Sequence, residues 1–110
     1  LAVRTPPTAI FASSDTQAIG VLEAARAAGI RVPGELSVIG FDDIQLSRYV
    51  YPALTTVGQS IRQLGETAAG RLLQRIAGQG GQAPMQQVIA PEIVLRESTG
   101  PRSSLFDEVR

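Results

Sequence analysis

The apolar and polar positions along the chain set out a definite order of elements. Residues 8–12 form a short run containing Ile10 and Phe11 that predicts a buried strand, and Ser13-Ser14-Asp15 supplies helix-capping side chains directly after it. Over residues 16–28, Ile19, Leu22 and Ala25, flanked by Ala18 and Val21, recur at helical spacing, and Gly29 suits the left-handed position that ends a helix. Pro33-Gly34 predicts a turn, with proline presetting φ and glycine free to take a positive φ. Residues 36–41 then read as a second strand, apolar on both faces except at Ser37. Two such strands joined by a helix make a βαβ unit with parallel strands and a right-handed crossover, so the fold class is α/β with a parallel sheet.

Beyond residue 41 the pattern loosens. Residues 42–53 read as irregular, with Tyr49, Val50, Tyr51 and Pro52 in a mostly apolar patch, and residues 54–57 as a short strand or an extended crossing. A second helix over residues 60–77 is clearer. Ser60 and Gln63 have capping-box spacing, Ile61, Leu64, Ala68, Leu72 and Ile76 form one apolar stripe, and Arg62, Glu66, Gln74 and Arg75 occupy the other side. Gly78 ends it. Residues 78–84, rich in Gly and Gln, predict a flexible surface connection. Residues 85–90 and 93–96 read as strand pieces broken at Pro91, which cannot donate into a ladder, and the tail 101–110 has few core-forming residues and could be disordered.

Composition narrows the chemistry. Ten basic residues, all arginine, balance ten acidic ones for a formal net charge of zero, so this chain alone generates no field to hold a DNA backbone or a membrane surface. Cysteine, histidine and lysine are all absent. That removes disulfides, thiolate and imidazole chemistry and Schiff bases, and fits a reducing compartment. No apolar stretch approaches the ~20 residues that span a bilayer. Because the chain opens at Leu1 and enters a strand within a few residues, it reads as a fragment of a longer protein.

In an open parallel α/β sheet, ligands bind outside the carboxyl ends of the strands. Ser13-Ser14-Asp15 ends the first strand and Asp42-Asp43 the second, so both clusters face one edge and could line a single cleft. The plainer alternative is that Ser14 or Asp15 caps the helix and Asp42 and Asp43 merely end a strand. Adjacent carboxylates without lysine, histidine or a second acidic cluster make a poor catalytic or metal set, so neither an enzyme nor a metal or cofactor site is expected. Acceptors for a neutral polyol fit better. Tyr49 and Tyr51 could stack on a sugar or belong to an interface or the core, and the alanine-rich first helix could pack on a second copy or simply on its sheet. Arg62, Arg71 and Arg75 read as a solvated face.

The segments "FASSD", "AAGIRVPGELSVIGFDD", "PALTTVGQ" and "IVLREST", in this order and spacing, resemble the C-terminal part of a LacI/GalR-family transcriptional regulator, over nearly the whole chain. The resemblance implies a type I periplasmic-binding-protein-like sensing domain of two α/β subdomains with the ligand held between them. Residues 1–57 and 92–100 would belong to the C-terminal subdomain and residues 58–91 to the N-terminal one. The DNA-binding helix-turn-helix would lie outside this chain. Taken residue by residue, Asp42 matches the position whose carboxylate hydrogen-bonds a sugar or nucleoside hydroxyl, and Asp15 matches the aspartate of an Asn-Asp pair. Ser14 replaces that asparagine with a shorter reach, and Gln59 matches a polar position at the hinge. Ile61 stands where some members carry a ring that stacks on the ligand, which weighs against a plain hexose. The first helix and the 49–51 segment match the dimer face, implicating Ile19, Leu22, Glu23, Arg26, Tyr49, Val50 and Tyr51.

The function implied is effector sensing and homodimerisation in a cytoplasmic repressor, with a periplasmic sugar-binding protein of a transport system as the alternative. The fragment by itself is expected to associate. An apolar stripe on the second helix with no sheet to cover it would forfeit roughly 1.5–3 kcal/mol per large side chain.

Overall fold

The computed structural model describes residues 4–79, 81, 84 and 86–104. The elements run β1 (Ala9–Phe11), α1 (Asp15–Ala27), β2 (Ser37–Asp42), a short 3-10 helix (Gln45–Arg48), β3 (Thr55–Gly58), α2 (Ile61–Ile76) and β4 (Glu92–Val94). They fall into two compact units, one from Leu1–Gly58 with Glu92–Arg110 and the other Gln59–Pro91.

The first unit carries the sheet, in strand order β1-β2-β3-β4. β1 pairs parallel with β2 through Ile10 and Val38, and β2 pairs parallel with β3, placing Gly40 beside Thr56 and Asp42 beside Gly58. The βαβ core expected from the apolar pattern is therefore present. The sheet as a whole is mixed, however, because β4 runs antiparallel to β3. The chain leaves the sheet after Gly58 and returns at Glu92, directly opposite Gly58, so the returning strand must run the other way.

α1 forms where the apolar spacing predicts it. Ser14 is its N-cap, with Oγ accepting from the Gln17 N–H, and Gly29 takes φ +73 just past its end. Its inward face consists of Ala18, Leu22 and Ala25, which close on Ala12, Leu36, Val38 and Leu54 as the core, with Ile10, Ile19, Val21, Ile30, Val32 and Val50 packed around it. Each fully buried Leu or Val contributes roughly 1.5–3 kcal/mol. The helix comes in close at its first turn because β2 carries Gly40 there. A Cβ on Gly40 would sit 2.3 Å from Asp15 Oδ1 and 3.1 Å from the Asp15 Cα.

Several expectations change. β1 is not a buried strand, since Phe11 is 63 % exposed: α1 covers one face of the sheet and the other is open at that residue. The turn at 32–35 forms, closed by the Glu35 and Leu36 amides on the Arg31 carbonyl, but Gly34 is not among the positive-φ residues. Within the segment read as irregular, Gln45–Arg48 winds into a 3-10 helix. No strand forms over residues 86–90, because a strand persists only against a partner ladder and none is present there; Met85 lies outside the described residues. In the tail, residues 101–104 are irregular, and the rest lies outside the described residues.

The second unit is built on α2, capped by Ser60 Oγ accepting from the Gln63 N–H and ended by Gly78 at φ +74. No α2 residue is buried, and Leu72, Leu73 and Ile76 are all exposed. Arg62 pairs with Glu66 along the helix, and Arg71 donates to Gln87 Oε1 at 3.0 Å. No helix among the described residues is long and apolar enough to cross a membrane.

Candidate functional site

The carboxyl ends of β1 and β2 lie side by side because the strands are parallel. The cluster after β1 is tied to the segment that follows Asp42-Asp43 through Asp15. Its Oδ2 accepts from the Ile44 N–H at 2.9 Å and the Ser47 hydroxyl at 2.5 Å, while Oδ1 accepts from the Thr56 hydroxyl at 2.5 Å. One carboxylate at the start of α1 therefore ties down the segment after β2 and the middle of β3. Such a network, fully satisfied in a low-dielectric interior, fixes geometry tightly.

This corrects the expected role of Asp15. The residue is fully buried, and its oxygens are engaged by the chain's own donors, so it braces the site rather than facing a ligand. Ser14 also has a local task, since its hydroxyl caps α1, yet it stays half-buried at the edge beside Ser13, which is exposed.

Asp42 and Asp43 form an unusual turn. Their φ angles are +118° and +56°, the only positive values at non-glycine residues among those described, and an L-residue held there costs about 1–3 kcal/mol unless its surroundings impose it. The surroundings do so on several sides. Asp43 donates its N–H to the Thr56 hydroxyl at 3.4 Å, the next amide is held by Asp15, and Asp43 Oδ1 pairs with Arg96 Nη2 at 2.6 Å. Asp42, half-buried, ends β2 opposite Gly58 at the rim of the sheet. Gln59 follows Gly58 in the chain and opens the second unit.

Arg96, Ser47, Thr56 and Ser98 are the residues that sequence reasoning missed. Arg96 reaches the Leu54 carbonyl with Nη1 at 3.0 Å, and its backbone N–H donates to the Thr55 hydroxyl at 2.9 Å. Ser98, fully buried, donates to the Val38 carbonyl and accepts from the Thr55 N–H, stitching β2 to β3. The polar run from Arg96 to Thr99 gave no local signal of these roles, because a solvent-facing segment has the same composition.

The expected dimer face divides. Tyr49 and Tyr51 are 73 % and 92 % exposed, and Glu23 and Arg26 lie on the outer face of α1, where they pair with each other. That contact holds the Glu23 carboxyl below its ordinary value and raises Arg26, first through the hydrogen bond and then through charge. Ile19 and Val50 pack at the margin of the core. Leu22 is a correction: it is buried against the sheet, because its position on α1 faces β2 and not solvent, so it offers nothing to a partner. No group of three or more Asp and Glu among the described residues is placed to hold a metal ion.

Known proteins resemble this chain in sequence and in fold. The family described as periplasmic binding protein-like domain matches residues 1–99. The ribose operon repressor of Haemophilus influenzae is 45 % identical over 92 residues, covering 84 % of this chain and 27 % of that protein. The HTH-type transcriptional repressor PurR of the same species is 43 % identical over 94 residues, covering 84 % of this chain and 28 % of the relative. Among solved structures, a dimeric Lac repressor with a C-terminal deletion superposes with a TM-score of 0.79 at 38 % identity, over 84 % of this chain and 34 % of that one. A LacI family regulator from Enterococcus faecalis with bound ribose gives a TM-score of 0.81 at 38 % identity, over 88 % of this chain and 36 % of that one. The chain thus spans about a quarter to a third of the length of these relatives. A family match over nearly every residue and a shared fold at this level of identity lead to one assignment: the chain belongs to the periplasmic binding protein-like domain family, in the form carried as the effector domain of LacI-type transcriptional regulators.

Proposed function

We propose that this chain is the effector-sensing and dimerisation region of a cytoplasmic transcriptional repressor, that its effector is a sugar or related polyol, and that it has no enzymatic activity. DNA would be contacted by a helix-turn-helix elsewhere in the intact protein, consistent with the zero net charge here. Residues 1–57 with 92–100 would form part of one subdomain, and residues 58–91 would contribute to the other. The relatives carry the names of repressors and regulators rather than transport proteins, which favours this reading over a periplasmic sugar carrier.

The observation that carries the ligand assignment is the Asp42-Asp43 turn. A strained turn braced on several sides at the carboxyl edge of a parallel sheet is a costly way to end a strand and an effective way to aim an acceptor. Asp42 is the principal ligand-facing carboxylate in this proposal, with Ser14, the N-cap of α1, as a second contact. Gln59 keeps the role the resemblance gives it. Glu23, Arg26, Ile19, Tyr49, Val50 and Tyr51 are the proposed dimer contacts.

Asp42→Ala in the intact protein tests the assignment. Loss of charge-assisted bonds to a hydroxyl should weaken effector affinity by about 1.5–3 kcal/mol, while operator binding without effector stays as in the wild type. A calorimetric titration with D-ribose and a panel of sugars and nucleosides reads the first quantity, and a mobility shift reads the second. Unchanged effector affinity in the variant would remove Asp42 from the site.

A further inference from the structure

We infer that β3 is a relay: the strap of residues 96–100, which follows the chain's return from the second unit, bears through Thr55 and Thr56 on the segment 43–47 beside the candidate site. The coupling itself does not depend on the effector reading of that site, and only its consequence for binding rests on it. Thr55 and Thr56 belong to an interior strand of the sheet and are 1 % and 0 % exposed. Valine has nearly the same shape and would fill the same space with no hydroxyl to satisfy, so two adjacent buried threonines call for a reason. Each hydroxyl has one, and the two lie on opposite faces of the strand, since successive side chains alternate.

On one side Thr55 is gripped by the strap. Its hydroxyl accepts from the Arg96 N–H at 2.9 Å and is bonded to the Thr99 hydroxyl at 2.9 Å, and its own N–H donates to Ser98 Oγ at 2.8 Å. Ser98, fully buried, bridges the amino-terminal parts of β2 and β3, because its carbonyl accepts from the Val38 N–H and its hydroxyl donates to the Val38 carbonyl. Gly100 closes the strap: its N–H donates to Ser37 Oγ at 3.1 Å, and a Cβ on it would stand 3.3 Å from Pro33 Cβ. On the other side Thr56 belongs to the site. Its hydroxyl donates to Asp15 Oδ1 and accepts from the Asp43 N–H, while Asp15 Oδ2 holds the Ile44 N–H and the Ser47 hydroxyl. From strap to site the route is a run of hydrogen bonds joined by two consecutive residues that share one peptide plane. No buried side-chain nitrogen or oxygen among the described residues lacks a partner, so a displacement of the strap meets no spare group that could absorb it.

The test is a cycle in the intact protein, Ser98→Ala on the strap and Thr56→Val on the site, read by amide hydrogen exchange. The two hydroxyls share no bonding partner. Ser98→Ala should speed exchange of the 43–47 amides about tenfold while residues 20–27 of α1 exchange as in the wild type. Thr56→Val should speed exchange of the 96–100 amides in the same way, and Thr56→Ser, which keeps the hydroxyl, should not. In the double variant the acceleration at 43–47 should fall well short of the product of the two single effects, the signature of one shared element. An effect of Ser98→Ala that stops at the strap and β2, or single effects that simply multiply, overturns the relay. If Ser98→Ala does not fold, Thr99→Val removes only the bond to the Thr55 hydroxyl and is read against the same outcomes. Calorimetry with D-ribose follows the consequence, and Ser98→Ala should weaken binding roughly fivefold. Coupled exchange with unchanged ribose affinity takes the strap out of effector sensing. A wild type that binds no member of the sugar and nucleoside panel defeats the effector reading, and the exchange cycle still decides the relay.

Discussion

Helices α1 and α2 begin alike and end differently. Each is capped by a serine whose hydroxyl accepts from the amide of a glutamine three residues on, Ser14 from Gln17 and Ser60 from Gln63, and each stops at a glycine with positive φ. Yet α1 buries Asp15, Ala18, Leu22 and Ala25 against the sheet, whereas α2 buries nothing, with Leu72 61 % exposed and Ile76 74 %. Capping and periodicity build a helix from within. Its stability in a protein comes from the surface it covers, and only the first helix has one within its own unit. The difference is also one of chemistry, since the candidate site grows from the first turn of α1, through Asp15, while α2 carries only surface pairs.

The sharpest way to break this contrast is Asp15→Ala. It leaves the Ile44 amide and the Ser47 and Thr56 hydroxyls without their acceptor in the interior, so unfolding in urea should show a loss on the order of 4 kcal/mol. A loss below about 1 kcal/mol would mean that water or a rearranged loop replaces the carboxylate. Next in size is a matched pair, Leu22→Ala and Leu72→Ala. The first should cost about 3 kcal/mol and the second less than about 0.5. If Leu72→Ala proved as costly as Leu22→Ala, α2 would be covered in solution, and sedimentation of this chain at micromolar concentration would then be expected to show self-association.

Gly40→Ala should cost about 2 kcal/mol by the same denaturation measurement, because the added carbon collides with Asp15 where α1 meets β2. Gly65→Ala in the middle of α2, where a Cβ meets nothing within 4 Å, should instead be neutral or stabilising. The smallest effect expected is on pH dependence. The Glu35 carboxyl is held below its ordinary value, chiefly by the Arg31 amide, with desolvation opposing and the Arg31 guanidinium assisting. A depressed carboxylate adds stability that is present above its unfolded pKa and lost as the pH falls through its folded one. Glu35→Gln should therefore be slightly less stable than the wild type at neutral pH in urea denaturation, with the difference vanishing as the pH falls through the folded pKa of Glu35.

What could be read from the chain itself was the local and the periodic. The βαβ core, both helices with their serine caps and glycine ends, and the placing of two polar clusters at one sheet edge follow from side-chain spacing and from the conformations that Ser, Gly and Pro favour, and these act over a few residues. The motif order, matched to known regulators, added the family, and with it the proposal that Asp42 faces the ligand.

Only the tertiary structure decided which of those residues would be spent on holding the others. Asp15 reads as a site residue from its place at a strand end, yet contacts 29, 32 and 41 residues away in sequence enclose it and make it a brace. Arg96 reads only as the end of a strand piece until Asp43, 53 residues earlier, is brought beside it. The direction of β4 was likewise set by where the chain re-enters the sheet and not by its own residues, since an apolar strand pairs equally well either way. Spacing fixes what is near along the chain. Which buried polar group meets which partner depends on closing loops of many tens of residues, and no local pattern records how they close.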